Sequence, residues 1–417
     1  GTMSGALSGR RNLITFDVGG TSADIGLIRD GTFSEATARD TWIAGYPLMV
    51  PMIDIHTIGA GGGSIAHVDA GGAFRVGPQS AGAKPGPASY GSGGDLPTVT
   101  DAHVVLGRLP PSNFLGGEME LDIDAARVVI DGFAGQIGLG RDEAAAGILT
   151  IVNANMANAI RSRTIQKGHD PREFALVAFG GAGPLHGVEV ARDLGIPEVL
   201  VPPYPGITSA VGLLTTDLKY DSIRTEFQIS GEIDAARLTE DFDTMQAGLN
   251  DQFVRDGIDG DEIDYTRSGD LRYVGQGYEL RVPIADGRIS EQILQKLFED
   301  FQTIHREEYG HVFMDSSIEI VNIRLTGVGR MPKIELARLD SSSGLNSGLI
   351  KTGNCTFHVD GYLTAMETPL YARDRIPGGA TIDGPAIIVQ TDSTTVLPPN
   401  AQAKADPGGN LIIATGA

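Results

Sequence analysis

Two short apolar segments, residues 12–17 and 24–29, flank a turn built on Gly19 and Gly20. Segments of this length around a glycine turn predict a β-hairpin. The turn lacks the Lys-Ser/Thr pair of a P-loop, and its glycine spacing differs from that of a dinucleotide-binding turn, which leads into a helix. The sequence therefore predicts a strand-turn-strand opening, whose turn is either an ordinary connection or a binding loop.

Polar side chains within this hairpin favour the binding loop. Thr21 and Ser22 are hydroxyl donors beside glycines whose backbone N–H groups can converge on an anion. Asp17 and Asp24 lie at the two strand ends, where a carboxylate can hold Mg²⁺ or orient its water shell. We predict a phosphate-binding hairpin with Asp17 and Asp24 as catalytic carboxylates and Asp17 as the Mg²⁺ ligand.

A second glycine turn follows the apolar run 174–179 and precedes a helical segment, residues 186–194, and a strand, residues 198–201. This order predicts a βαβ unit and a parallel sheet. Glycines between a buried strand and a helix let the backbone approach a phosphate or a flat ring, although such a turn can also be purely structural.

A helix is predicted over residues 142–167 from the spacing of its apolar residues, with Asp142 as N-cap. Two glycine turns separated by a long helix resemble the actin-like ATPase superfamily. In that superfamily one hairpin binds phosphate and a later turn contacts adenosine. The resemblance assigns Gly180, Gly181 and Ala182 to the adenosine contact.

The chain of 417 residues is longer than one hydrophobic core usually serves. Composition and periodicity change near residue 220 and again near residue 334, where short strands alternate with Pro/Gly turns. We predict an α/β protein with an ATPase lobe over residues 1–220, a smaller α/β domain over 221–333 and a β-rich C-terminal module over 334–417.

Several glycine-rich motifs resemble the hydantoinase A/oxoprolinase family. The most specific is the segment 54–66, Asp-Ile-His-Thr-Ile-Gly-Ala-Gly-Gly-Gly-Ser-Ile-Ala, and further matches are the segments 76–82, 168–172, 202–206, 273–278 and 384–388. The resemblance extends from about Asn12 to the end of the chain. It implies an actin-like, ribonuclease H-like ATPase fold that uses ATP and Mg²⁺.

The family resemblance also implies site residues and partners. Gly19, Gly20, Thr21 and Ser22 would bind phosphate, and a partner subunit of the B type would complete the reaction in a hetero-oligomer. Family members include ATP-dependent oxoprolinases, hydantoin and lactam hydrolases, and ketone carboxylases. We expect a lobe with a further phosphate hairpin to precede Asn12 in such a protein, and the chain alone to hydrolyse almost no ATP.

Two residues beside the glycine run, Asp54 and His56, are weaker candidates for substrate or interdomain contacts. For His56, a structural hydrogen bond is the alternative. The spacing of the histidines fits no compact metal signature. The single cysteine, Cys355, excludes an internal disulfide and is interpreted as a bystander.

The net charge of −21 disfavours nucleic acid and anionic membranes as partners. No apolar run approaches the roughly 20 residues of a membrane span, so we expect a cytoplasmic protein. The leading hypothesis is ATP-dependent hydrolysis of a cyclic amide (a hydantoin, 5-oxoproline or a lactam). A ketone carboxylase subunit and a catalytically silent partner-binding fragment are the alternatives.

Overall fold

The computed structural model describes residues 1–36, 42–43, 46–47, 52–332 and 344–416. Its eight helices within these ranges are α1 (Thr2–Leu7), α2 (Val99–Val105), α3 (Ile123–Ile137), α4 (Arg141–Arg163), α5 (Gly183–Leu194), α6 (Thr208–Thr215), α7 (Ala235–Arg255) and α8 (Glu291–Tyr309). None of the helices in the described ranges is long and apolar enough to cross a membrane.

The strands fall into an N-terminal, a central and a C-terminal group. The N-terminal strands are β1 (Leu13–Val18), β2 (Ala23–Arg29), β3 (Thr32–Phe33), β4 (Glu35–Ala36), β5 (Trp42–Ile43), β6 (Tyr46–Pro47), β7 (Met52–Ile53), β8 (Ile55–Ile58), β9 (Ser64–Val68), β10 (Phe74–Ser80), β11 (Ala175–Phe179) and β12 (Glu198–Val201). The central strands are β13 (Leu218–Ile229), β14 (Ile263–Tyr273), β15 (Leu280–Ile284) and β16 (Ile318–Gly329). The C-terminal strands are β17 (Leu349–Val359), β18 (Tyr362–Ala372), β19 (Thr381–Asp383), β20 (Ala386–Gln390), β21 (Ser393–Leu397), β22 (Gln402–Ala405) and β23 (Leu411–Ala414).

The chain forms two compact units, Gly1–Leu213 with Glu335–Ala417, and Leu214–Ile334. The α/β prediction is confirmed in both, and the β-rich C-terminal segment is present. The three predicted segments differ from these units in two ways. Residue 220 lies inside β13, and the β-rich segment joins the first unit; the predicted boundary at residues 333 and 334 lies outside the described residues.

The first unit is built on a large mixed sheet with the strand order β19-β22-β23-β12-β11-β1-β2-β3, and β8 pairs with β2. Strands β1, β11 and β12 are parallel neighbours, as the predicted βαβ unit requires, while β1 and β2 form the predicted antiparallel hairpin. Strand β23 pairs with β12, so the end of the chain is part of this sheet. A second sheet, β17-β18-β20-β21, is also made by the C-terminal segment.

Alternating side chains of β1 and β11 pack into two hydrophobic cores on opposite faces of the sheet. Phe16 and Leu176 pack into the larger core with residues of α3, α4 and α5, while Leu13 and Val177 pack into a small core on the other face. Strands buried on both faces read as nearly continuous apolar runs, which is the pattern of β11. Both faces of the sheet are therefore covered around the strand ends that carry the glycine turns.

The long predicted helix exists as α4, but the predicted N-cap Asp142 is wrong. The helix starts one residue earlier, at Arg141, and its N-cap is Gly140, whose backbone N–H donates to the Glu143 carboxylate at 2.8 Å. Asp142 lies in the first helical turn, where its charge is favourable to the helix dipole. An acidic residue is favourable both at the N-cap and in the first turn of a helix, so the sequence did not show which of the two positions Asp142 occupies.

The second unit is a four-stranded antiparallel sheet of order β13-β16-β14-β15 with α7 and α8 packed against it. Phe253 of α7 is fully buried, and its ring lies against Gly327 and Gly329 of β16. A Cβ added at Gly327 would lie 2.7 Å from a ring carbon of Phe253. These two glycines therefore make room for the aromatic ring.

Replacing Phe253 with Ala should lower the free energy of unfolding of the second unit by about 3–5 kcal/mol, because a large buried ring leaves a cavity over two glycines. The neighbouring substitution Val254→Ala is the control, since Val254 is 68% exposed and should change stability by less than about 0.5 kcal/mol. Urea denaturation of both variants measures the difference. Equal stability would contradict the packing described for α7.

Candidate functional site

The β1–β2 hairpin holds two carboxylates side by side. Asp17 is paired with Asp24 in the antiparallel register, and directly paired residues of two strands project from the same face. The backbone N–H of Gly19 donates to the Ser22 carbonyl at 3.0 Å and closes the turn. The two acidic residues predicted from the sequence therefore lie together at the base of the glycine turn.

Asp17 is half-buried, and its Oδ2 accepts a hydrogen bond from the Ser209 hydroxyl at 3.2 Å. Burial raises the pKa of Asp17 above its ordinary value, and the nearby Asp24 carboxylate raises it as well, while the bond from Ser209 acts in the opposite direction. Asp24 accepts a hydrogen bond from the Thr57 hydroxyl. Both carboxylates are thus oriented by hydroxyl groups from other elements.

A Mg²⁺ ion fits the chemistry of this pair, because two adjacent carboxylates repel each other and a cation relieves the repulsion. Mg²⁺ in nucleotide sites takes one or two carboxylates and obtains its other ligands from water and phosphate. In the described ranges no group of three or more His, Cys, Asp or Glu is placed to hold a metal ion. The pair Asp17 and Asp24 is therefore suited to an ion that arrives with phosphate.

The glycine run of segment 54–66 braces the back of the hairpin. The N–H groups of Gly62 and Gly63 donate to the carbonyls of Gly19 and Gly20 at 3.0 and 2.6 Å. A Cβ at Gly61 would lie 2.7 Å from the Gly19 carbonyl oxygen and 2.8 Å from the Gly20 carbonyl carbon. The motif supported the family resemblance, but its role as a backbone support was not predicted.

The front of the hairpin is open. A Cβ added at Gly19 or Gly20 would have no atom within 4 Å. Packing within the protein therefore does not require glycine at these positions, whereas close approach of a ligand to the backbone does. Thr21 is exposed and lies 3.5 Å, oxygen to oxygen, from the Ser80 hydroxyl, and Ser22 is half-buried.

The second glycine turn lies directly beside the hairpin. Because β1 and β11 are parallel neighbours, their carboxyl ends meet at the same sheet edge. The N–H of Ala182 donates to the Val18 carbonyl at 2.8 Å, and Gly180, with a positive φ of 78°, donates its N–H to the Pro205 carbonyl. The two motifs predicted to act together are joined by a backbone hydrogen bond.

Between these motifs lies a cavity of about 140 Å³. Of the predicted site residues, Gly19, Gly20, Gly181 and Ala182 line it. The other predicted residues of the hairpin and the second glycine turn do not line the cavity; these are Asp17, Thr21, Ser22, Asp24 and Gly180.

Two walls of this cavity were not predicted from the sequence. One is the segment 113–115, which lies at a kink between two short helical turns after α2. The other is the hairpin turn 390–394, which runs from the last residue of β20 to the second residue of β21. Neither wall has a local sequence signal, because tertiary pairing brings both to the cavity.

Asp54 and His56 lie away from the cavity. The Asp54 carboxylate forms ion pairs with Arg163 and with Lys167, the latter at 2.8 Å. His56 lies opposite Ile25 in the pairing of β8 with β2, and burial followed by the charge of Arg163 lowers its pKa. The ion pairs attach β8 to the end of α4, and a substrate contact for either residue stays a prediction.

Two buried histidines, His103 of α2 and His186 of α5, lie edge to face with ring centroids 4.9 Å apart. His186 Nδ1 lies 2.7 Å from the Asn153 side-chain oxygen. Burial lowers the pKa of His103 well below its ordinary value and that of His186 to about 4, so both rings are neutral at pH 7. The spacing of these residues in the sequence did not indicate their contact.

Two family models together match most of the chain. The hydantoinase/oxoprolinase model matches residues 1–222, and the hydantoinase/oxoprolinase C-terminal domain matches residues 230–408. The chain belongs to the hydantoinase/oxoprolinase family. The resemblance inferred from the glycine-rich motifs is thereby confirmed.

Two similar proteins are a caprolactamase subunit and a 5-oxoprolinase. The alpha subunit of caprolactamase from Pseudomonas jessenii is 34% identical over 97% of this chain and 58% of its own length. The 5-oxoprolinase 1 of Arabidopsis thaliana is 31% identical over 98% of this chain and 32% of its own. This chain therefore spans between about a third and three fifths of the length of these two hydantoinase/oxoprolinase relatives.

Solved structures of this family share the fold. Nucleotide-free acetone carboxylase matches 99% of this chain and 60% of its own chain, with a TM-score of 0.86 and 25% identity. ATP-dependent caprolactamase from P. jessenii matches with a TM-score of 0.76 and 34% identity over 100% of this chain and 60% of its own. The fold described above is thus that of hydantoinase/oxoprolinase proteins.

Replacing Gly61 with Ala should displace the hairpin, because the new Cβ would contact backbone atoms that cannot move independently. Overpacking of this kind costs about 1–3 kcal/mol, so thermal unfolding should occur at a lower temperature. Gly132→Ala in α3 is the control, since a Cβ there has no atom within 4 Å and Ala favours the helix. The control should melt at or above the temperature of the wild type. If the Gly61 variant also melts no lower than the wild type, the proposed bracing is wrong.

Replacing Asp17 with Asn should leave the ligand-free chain at least as stable at pH 7. A carboxylate whose folded-state pKa is raised destabilises the fold once ionised, so this penalty is absent below the ordinary Asp pKa of about 3.9 and complete above the folded-state pKa. Denaturation of both proteins at pH 3 and pH 7 measures the change. A variant that is less stable than the wild type only at pH 7 would contradict the sign.

Proposed function

We propose that this chain provides a nucleotide-binding lobe of an enzyme that couples ATP cleavage to hydrolysis of a cyclic amide. The observation that carries the proposal is the cavity shared by the hairpin glycines and the second glycine turn. A nucleotide needs a backbone cradle for phosphate and a nearby surface for the nucleoside, and both border one cavity here.

The hairpin supports a phosphate role in particular. Its backbone is closed behind by Gly62 and Gly63 and open in front at Gly19 and Gly20. The Gly19 N–H is used within the turn, so the N–H groups that follow it would bind the phosphate. Preorganised N–H donors stabilise charge without reorganising during reaction. Asp17 and Asp24 would hold the Mg²⁺ that accompanies the triphosphate, and this ion would neutralise negative charge on the phosphate oxygens.

The names of two relatives support a cyclic amide as the substrate class. Caprolactamase and 5-oxoprolinase are named for ring-shaped amides, and both match nearly the whole of this chain. An amide is a poor electrophile because resonance delocalises the nitrogen lone pair into the carbonyl. Transfer of the γ-phosphoryl group to the amide oxygen, with release of ADP, removes this resistance to attack by water.

The proposed reaction is divided between this chain and a partner subunit. In the proposal the chain binds and orients ATP through Gly19, Gly20, Thr21, Ser22, Gly180, Gly181 and Ala182, and a B-type partner subunit completes the hydrolysis. The caprolactamase relative is itself an alpha subunit. A partner of this type, together with the part of the relatives that this chain does not span, would supply the remaining groups of the reaction.

The coupling is tested by combining the protein with its B-type partner and measuring ADP release and substrate loss together. We expect ATP consumption only when a hydantoin, 5-oxoproline or a lactam is supplied. Substrate loss without nucleotide would refute the coupling. Consumption of a ketone that depends on bicarbonate would instead assign the protein to carboxylation, as in the structurally similar acetone carboxylase.

In the same assembly Asp17→Asn should reduce coupled turnover about a hundredfold or more, because the phosphate-bound cation loses a charged ligand. Asp30→Asn is the control. Asp30 is an exposed aspartate in the turn after β2 with a positive φ of 50°, a conformation that Asn also adopts. Wild-type turnover in the Asp17 variant would show that the phosphate site lies elsewhere.

A further inference from the structure

The turn 390–394, here called the C-terminal turn, is hydrogen-bonded to the second glycine turn and to the segment that follows β12. The Ser393 hydroxyl donates to the Gly181 carbonyl at 3.3 Å, and the Gln390 amide donates to the Pro203 carbonyl at 3.1 Å. Strand β20 in turn pairs with β18 and β21. The turn is therefore held by strand pairing within its own sheet and by hydrogen bonds to Gly181 and Pro203.

Asp392 is the charged residue of this turn, and both of its carboxylate oxygens are anchored. Oδ2 accepts from the Gly206 backbone N–H at 2.8 Å, and Oδ1 accepts from the Gln390 amide at 2.6 Å. A Cβ at Gly206 would lie 2.7 Å from the Asp392 Cβ, so the close approach requires glycine. Each carboxylate oxygen can accept a second hydrogen bond, and Asp392 lines the cavity.

The lining of the cavity is chemically mixed. Gly19 and Gly20 contribute backbone, whereas Leu109, Phe114 and Leu185 supply apolar surface. Of the described residues that line the cavity, none is Lys or Arg. A carboxylate in such surroundings repels phosphate but accepts hydrogen bonds from neutral hydroxyl groups. The neutral donors of ATP are the ribose hydroxyl groups and the adenine amino group. The ribose is the one attached to the phosphates, so it suits a carboxylate in a turn that shares the cavity of the phosphate hairpin.

We propose that Asp392 accepts a hydrogen bond from a ribose hydroxyl of the bound nucleotide and makes the site selective for ribonucleotides over deoxyribonucleotides. The inference rests on the proposed function, because it assumes that ATP occupies this cavity. It assigns a specificity role to one residue of the C-terminal wall of the cavity, whereas the two glycine turns lie within the first 213 residues of the chain.

The test compares ATP with 2′-deoxy-ATP and 3′-deoxy-ATP, titrated onto the chain by ligand-detected NMR, which measures weak binding. ATP should bind about tenfold more tightly than the analogue that lacks the contacted hydroxyl, because hydrogen bonds to charged groups are stronger than neutral ones. In Asp392→Asn this preference should fall towards one. Asp383→Asn, which changes an exposed aspartate of β19, should keep the wild-type preference.

The outcomes separate the two proposals. If the wild-type chain binds none of the three nucleotides, the proposed function fails and the inference fails with it. The inference alone is overturned if both deoxy analogues bind as tightly as ATP. It is also overturned if Asp392→Asn keeps the full preference for ATP. The wild-type comparison decides the question even if the Asp392 variant does not fold.

Discussion

The site depends on a close approach of two backbones. The run Gly61 to Gly63 lies directly against Gly19 and Gly20, with hydrogen bonds at 3.0 and 2.6 Å and no room for a side chain at Gly61. Side chains adapt by changing rotamer, whereas backbone atoms in contact have few alternatives. The shape of the hairpin, and with it the direction of its N–H groups, is therefore set by a second segment about forty residues later.

Parallel pairing then determines what the hairpin meets. Strands β1, β11 and β12 end at one edge of the sheet, so the turns that follow β1 and β11 are neighbours although they are some 160 residues apart in the chain. Strands β23, β22 and β19 extend the same sheet beyond β12. As a result, segments from the beginning, middle and end of the chain share one cavity.

Local patterns predicted the elements around the site well, because short apolar runs and glycine turns report on nearby backbone. The hairpin, α4 and the strand 198–201 were all recognised in this way. Long-range pairing is not encoded in such patterns. The contact of Asp392 with Gly206, and the place of β23 beside β12, follow from a fold that local periodicity does not specify. Ion pairing of Asp54 likewise needed the position of α4.

The order of the two units along the chain affects how the protein is made. The second unit, Leu214–Ile334, interrupts the sequence of the first. During synthesis it can fold as soon as it emerges, since domains generally fold as units. The first unit must wait, because β12 lacks its neighbour until Leu411–Ala414 leaves the ribosome. Its sheet edge stays open during this interval, so chaperone protection would matter most between the emergence of β12 and that of β23.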